Sequence, residues 1–239
     1  MKTAAPPPDA ALIPHRKTFL PKRLFRYSAI ELLIALVLLL VTAPLVEDLP
    51  GGELVEPILL TLVMLSAVLA VGARRRSLLI ALLLVIPAIA GKWLNHLAPA
   101  AVSPVLHLIC ATLFFGFVIA HLLQFILRAP RVDTSVLCAG LAGYLLLGVL
   151  WTPLYLTIYR WNPSSFTLPS GSTMDGFTGF YFSFITLTTV GYGDIAPVSR
   201  VARMLAVIEA VVGLFYMAVL ISRLVSVYSS TPPPKSQDN

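Results

Sequence analysis

Six long apolar stretches, about Tyr27–Val46, Pro57–Ala73, Ser77–Leu97, Val102–Leu127, Thr134–Tyr159 and Val201–Tyr228, leave this chain few ways to fold. A bilayer core takes about 20 apolar residues per helix, with a range of ~17–25. Each stretch is therefore read as a membrane span. The second is the shortest, and the third carries Pro87 and Lys92. Composition agrees: the chain is 58% hydrophobic and 12% charged, a balance no ordinary soluble domain needs. The fold class expected is an all-α membrane protein with six transmembrane helices.

Basic residues set the orientation. With six spans both termini share a side, and placing them inside gives the cytoplasmic segments thirteen basic residues, among them Lys22, Arg23, Arg26, Arg74, Arg75, Arg76, Arg128 and Arg131. The other side keeps four: Lys92, Arg160, Arg200 and Arg203. That asymmetry is the positive-inside pattern. The net charge of +6 is thus a topology signal and implies no nucleic acid partner. Glu47, Asp48, Glu53 and Glu56 fall in the first outer loop and read as solvated. Met1–Leu20 lacks periodicity and is expected to be disordered, as is the polar tail Thr231–Asn239. Neither is long enough for a folded regulatory module, and the first apolar run reads as a retained signal anchor. Cys110 and Cys138 are expected as free packed thiols, without a disulfide framework or metal-ligand spacing. Arg-rich, Lys-poor usage points to a bacterial inner membrane.

Phe177–Leu187 is apolar but too short to cross, which suits a re-entrant half-helix. Thr188-Thr189-Val190-Gly191-Tyr192-Gly193-Asp194 follows it directly. Glycine tolerates backbone angles that side chains forbid. Glycines alternating with Val and Tyr therefore let an extended backbone point successive carbonyl oxygens the same way. Non-helical backbone at membrane depth is tolerated only where protein or water surrounds it, and a strand lining a water-filled axis meets that condition. This string in this setting resembles the selectivity filter of the tetrameric potassium channels, over roughly Thr134 to Tyr228.

The resemblance implies a set of roles. The carbonyls of Thr189, Val190, Gly191 and Tyr192, with the Thr189 hydroxyl, bind dehydrated K⁺ as the transported ion, and Thr188, Gly193 and Asp194 complete the filter. Gly191 and Gly193 supply the unusual dihedrals. Val190 and Tyr192 hold the strand from behind, and Asp194 caps its outer end. Thr134–Tyr159 becomes the outer helix, Phe177–Leu187 the pore helix and Val201–Tyr228 the inner helix. One loop per chain supplies a quarter of each oxygen ring, so a homotetramer in membrane lipid is implied. Passive K⁺ conduction requires neither enzyme activity nor a cofactor.

Two positions on the inner helix stand out. Gly213 lies where such channels often place a gating hinge, and close helix packing is an equal reading. Glu209 is a carboxylate inside a span, which is expensive and usually functional or paired. Its candidate partners are hydroxyls behind the filter, such as Ser183 or Thr186, or ions in the cavity. Some family members carry a glutamate in the pore helix, but Ile185 stands there in this chain, which argues against control of the filter by a carboxylate pair.

The first four spans lack sensor chemistry. A voltage sensor needs several basic residues at three-residue spacing, and Val102–Leu127 has no Arg or Lys. Voltage dependence of the usual kind is not expected. His107 and His121 share one helical face and read as packing residues before proton sensors. Arg223 reads as snorkelling to cytoplasmic headgroups. The chain thus divides into a cytoplasmic tail (1–26), a four-helix sensor-like unit (27–131), a pore domain (132–228) and a short tail (229–239). Gly191-Tyr192-Gly193-Asp194 also fits the Gly-x-Gly-Asp string of intramembrane aspartyl proteases. That chemistry needs two facing carboxylates, and no second Asp lies in a span. A non-conducting or regulatory channel-like subunit is the remaining alternative.

Overall fold

Within each apolar stretch the backbone satisfies its own hydrogen bonds, and the molecule is built from the resulting α-helices. The computed structural model describes residues 22–46, 54–71, 75–98, 104–129 and 132–229. The expected tails Met1–Leu20 and Thr231–Asn239, and Glu47, Asp48 and Glu53 in the first outer loop, lie outside the described residues. Seven helices follow in order: α1 Lys22–Val46, α2 Val55–Val71, α3 Arg75–Leu97, α4 Pro104–Arg128, α5 Thr134–Trp161, α6 Gly176–Leu187 and α7 Arg200–Ser229. The all-α membrane class holds. Length and apolarity qualify four helices to cross a membrane: α3, α4, α5 and α7. The apolar portions of α1 (Ala29–Thr42) and α2 (Val55–Val71) are shorter. At 17 residues α2 rises about 25 Å, a little under the ~30 Å hydrocarbon core.

Helix α5 occupies the centre. It packs on α4 and α1 on one side and on α6 and α7 on the other. Its start is capped by Asp133, whose carboxylate accepts from the Val136 amide at 3.0 Å. Three glycines let neighbours approach its axis. A Cβ at Gly140 would lie 2.8 Å from a Leu220 methyl, one at Gly143 would run into the Tyr216 hydroxyl, and one at Gly148 into the Phe184 ring. Tyr216 turns that closeness into a bond, donating to the Gly140 carbonyl at 2.8 Å.

Helices α1–α4 are held together, and to α5, by apolar packing with a few polar ties. Trp93 Nε1 donates to Thr61 Oγ1 at 3.1 Å, joining α3 to α2. The His121 ring nitrogens meet the Phe117 carbonyl at 3.1 Å and Ser77 Oγ at 3.2 Å, so this histidine is a bonded packing residue between α4 and α3. Glu56 corrects the solvated-loop expectation. It sits in the first turn of α2, and its carboxylate holds Lys92 Nζ at 2.9 Å through both oxygens. Arg223 is also corrected: its guanidinium donates to the Ala129 carbonyl at 2.5 Å instead of reaching only for headgroups. It thereby ties the C-terminal half of α7 to the α4–α5 connection.

A short antiparallel ladder pairs β1 (Phe166–Thr167) with β2 (Ala196–Pro197), with Phe166 opposite Pro197 and Thr167 opposite Ala196. The Ser165 carbonyl adds bonds from the Val198 and Ser199 amides at 2.8 and 3.3 Å. The segment leaving α5 is thus fastened to the segment entering α7. Everything between them forms one excursion: a turn at Pro169–Ser172 with Gly171 at φ 84°, then α6, then the glycine string.

Candidate functional site

Helix α6 carries the site. Asp175 caps it by accepting from the Thr178 amide at 2.7 Å. Its 12 residues bury Gly179, Phe182, Ser183, Ile185 and Leu187. Phe182 sits edge-on to Tyr155 of α5 at 4.8 Å between ring centroids, and to Phe166 at 5.5 Å. Aromatic contacts of this kind add about 0.5–1.5 kcal/mol beyond area burial. They fix the helix from which the following residues hang.

The string 188–194 leaves α6 through a compact set of bonds. Thr188 stays right-handed (φ −83°, ψ −1°), and its amide and hydroxyl both donate to the Phe184 carbonyl, at 3.0 and 2.6 Å. The Thr189 amide reaches the Thr186 carbonyl at 3.0 Å. The Val190 and Gly191 amides converge on the Ile185 carbonyl at 2.9 and 3.1 Å. Beyond Thr188 the handedness alternates. Thr189, Gly191 and Gly193 have φ of 60°, 52° and 82°, while Val190 and Tyr192 are absent from the positive-φ set. Alternation at every second residue cancels the pleat that makes neighbouring carbonyls oppose one another in a strand.

Gly191 and Gly193 have the unusual dihedrals that the resemblance implies, and Thr189 shares them without any signal in the sequence. A β-branched residue at positive φ is an outlier, and such strain runs to about 1–3 kcal/mol. A Cβ at Gly191 or Gly193 would meet nothing within 4 Å, so the backbone angle, and no steric clash, is what favours glycine there. Val190 and Tyr192 are 52% and 74% exposed in the single chain. Asp194 is held from α6: Tyr181 Oη donates to its Oδ2 at 2.9 Å. That bond pushes the Tyr181 phenol above its ordinary range.

Behind α6 lies Glu209, fully buried on α7. Its Oε1 is 2.5 Å from Ser183 Oγ, and its Oε2 accepts from the Tyr155 hydroxyl. Ser183 is the hydroxyl partner, whereas Thr186 makes no bond with Glu209. Tyr155 was missed. Ser183 Oγ also stands 2.8 Å from the Gly148 carbonyl, which Thr152 Oγ1 reaches at 3.1 Å. One carboxyl group thus joins α5, α6 and α7 through hydroxyls, and it has no ion-pair partner among the described residues. Gly213, one turn further along α7, abuts the end of α6. A Cβ there would lie 2.7 Å from Leu187 Cδ1 and 2.8 Å from its carbonyl oxygen, so the close-packing reading has a direct structural basis. His107 lies apart from this group, in the first turn of α4.

Comparison with known proteins agrees with this geometry over the same segment. Residues 134–230 match a protein family described as ion channels. The chain is 34% identical over 86 residues to two pore potassium channel c of Oryza sativa subsp. japonica, covering 36% of this chain and 17% of that one. It is 35% identical over 88 residues to two-pore potassium channel 3 of Arabidopsis thaliana, covering 37% and 18%. Over 74 residues it is 31% identical to the human voltage-gated delayed rectifier potassium channel KCNH5, covering 30% and 8%. The chain therefore spans less than a fifth of the length of these relatives. No solved structure matches it. From α5 to the end of α7, then, the chain is similar to ion channels whose named relatives are potassium channels and not enzymes.

Proposed function

We propose that this protein is a passive, K⁺-selective channel, formed by four copies of the chain around an axis lined by residues 188–194. The observation that carries the reading is the alternation of positive φ at Thr189, Gly191 and Gly193, in a string seated on a short helix that does not cross the membrane. Aligned carbonyls of Thr189, Val190, Gly191 and Tyr192, with the Thr189 hydroxyl, replace the hydration shell of the transported ion. Thr188 anchors the strand to α6. Gly193 and Asp194 form its outer end, with Tyr181 holding the carboxylate. The C-terminal end of α6 carries partial negative charge toward the path of the cation. Glu209 supports α6 from behind, and Gly213 lets α7 lie close against its end.

The remaining helices make a six-span subunit with both termini on the cytoplasmic side, in a cell membrane. No gating charge stands on α4 before Arg128 at its last residue, so conduction depends little on voltage. The test is reconstitution of the purified protein in lipid, with currents recorded under a K⁺/Na⁺ bi-ionic gradient across a voltage series. A reversal potential near the K⁺ limit is expected. A robust current reversing near zero would refute selectivity. Silence under all conditions, with intact assembly, would favour a non-conducting subunit.

A further inference from the structure

A cavity of about 450 Å³ lies between the four-helix unit and the start of α6, well within the ~300–1,000 Å³ of ordinary ligand sites. Its lining changes character with depth. The mouth carries Lys92 and His96 from the end of α3, His107 from the first turn of α4 and Arg160 from the end of α5. The floor is apolar, with Phe115 of α4, Val149 of α5 and Phe180 of α6. From His107 down to Phe115 the helix rise alone gives about 12 Å.

The charges at the mouth are not balanced. Lys92 is neutralised by Glu56 at 2.9 Å. Arg160 has no ion pair among the described residues. His107 is 5% exposed, its Nδ1 is buried, and neither ring nitrogen has a hydrogen-bond partner among the described residues. Buried polar groups are normally bonded, and one without a partner calls for an explanation. An apolar slot whose mouth holds an unpaired guanidinium and an unsatisfied imidazole is complementary to a negative head on a single apolar tail.

We infer that this cavity binds a single-chain carboxylate, a fatty acid, with its head between Arg160 and His107 and its tail along Phe115, Val149 and Phe180. The slot takes one acyl chain, which disfavours an intact two-chain phospholipid. Gly176, Phe177 and Phe180 of α6 also line the cavity, so an occupant braces the helix that carries the glycine string. That regulatory consequence rests on the channel reading above, whereas the binding does not.

The test is native mass spectrometry of the purified full-length protein titrated with laurate, a readout that needs no current. Saturable binding of one laurate per chain is expected. Arg160→Gln and His107→Phe should each weaken it about tenfold, the loss of one charge-assisted bond. Dodecyltrimethylammonium, with the same tail and the opposite charge, should bind more weakly than laurate. Ala111→Phe should fill the slot and abolish binding. Should that variant fail to fold, Arg160→Gln decides alone, because Arg160 is exposed and its loss leaves the packing intact. Wild-type affinity in Arg160→Gln and His107→Phe, or equal binding of the cationic amphiphile, would overturn the site. Binding of lysophosphatidate without laurate would overturn it in favour of a lipid phosphate. K⁺ flux without laurate binding removes this proposal alone. Laurate binding in a protein that passes no K⁺ removes the channel reading and leaves the site standing.

Discussion

Thr189 at φ 60° and Gly191 at φ 52° hold left-handed backbone that side chains disfavour. Because open space surrounds the Gly191 Cβ position, Gly191→Ala tests the angle with no competing clash. The substitution adds strain of about 1–3 kcal/mol, which the loop relieves by turning a carbonyl away. Selective K⁺ flux should disappear while assembly, read by size-exclusion chromatography, stays intact. Surviving selectivity would mean the ion path lies elsewhere. Glu209 makes a second prediction at this scale. Tyr155→Phe leaves one buried carboxyl oxygen without its donor, a loss of about 1–3 kcal/mol. Glu209→Gln should destabilise similarly, and the two changes together should cost less than their sum, since they share one network. Thermal melting of the four proteins in a double-mutant cycle measures the coupling. Additive losses, with unchanged conductance and pH response in Glu209→Gln, would show that the carboxylate does not support the filter.

At the scale of elements, the fit of α7 against the end of α6 is set by Gly213. A methyl group there meets the Leu187 carbonyl, a backbone atom that a rotamer change does not move. Gly213→Ala should therefore lower the melting temperature of the protein. Gly116→Ala is the control. Its Cβ would find a single Leu150 methyl at 3.5 Å, and the gain in helix propensity of roughly 0.5–1 kcal/mol should leave stability equal or higher. Equal behaviour of the two variants would exclude the packing role. On α4, Arg128→Gln should leave the voltage dependence of conduction nearly unchanged, and a large shift would mean that a sensor exists after all. The helices themselves were legible because a bilayer-length apolar run has one low-energy solution. The glycine string was legible because its constraint is local. The contacts that position it were not. Tyr155 and Glu209 are 54 residues apart, and Tyr181 and Asp194 are 13, distances at which no periodicity signals a meeting. Glu56 was misread because its partner Lys92 lies on another helix, and Arg223 because the Ala129 carbonyl it reaches belongs to a connection.

For the whole molecule, the informative surface is the part of α7 and the string that a single chain leaves uncovered. Val207, Leu214 and Phe215 are 59%, 61% and 67% exposed, beside the open Val190 and Tyr192. If four chains share these faces around one axis, native mass spectrometry in detergent should give a tetramer. Ligand linkage adds that the tetramer should melt at higher temperature in K⁺ than in Na⁺, because an ion that binds only the assembled state stabilises it. A monomer or dimer, or a melting point indifferent to the cation, would refute the arrangement. The β1–β2 ladder bears on one more property of the chain. With Phe166 on Pro197 and Thr167 on Ala196, the two feet of the excursion stand together, and its turn at Pro169–Thr173 is exposed. Closure entropy rises by only ~0.6 kcal/mol for each doubling of a loop. The tip is accordingly a permissive site for an inserted epitope or affinity handle, because the Asp175 cap restarts α6 directly beyond it and keeps the added slack from reaching the glycine string.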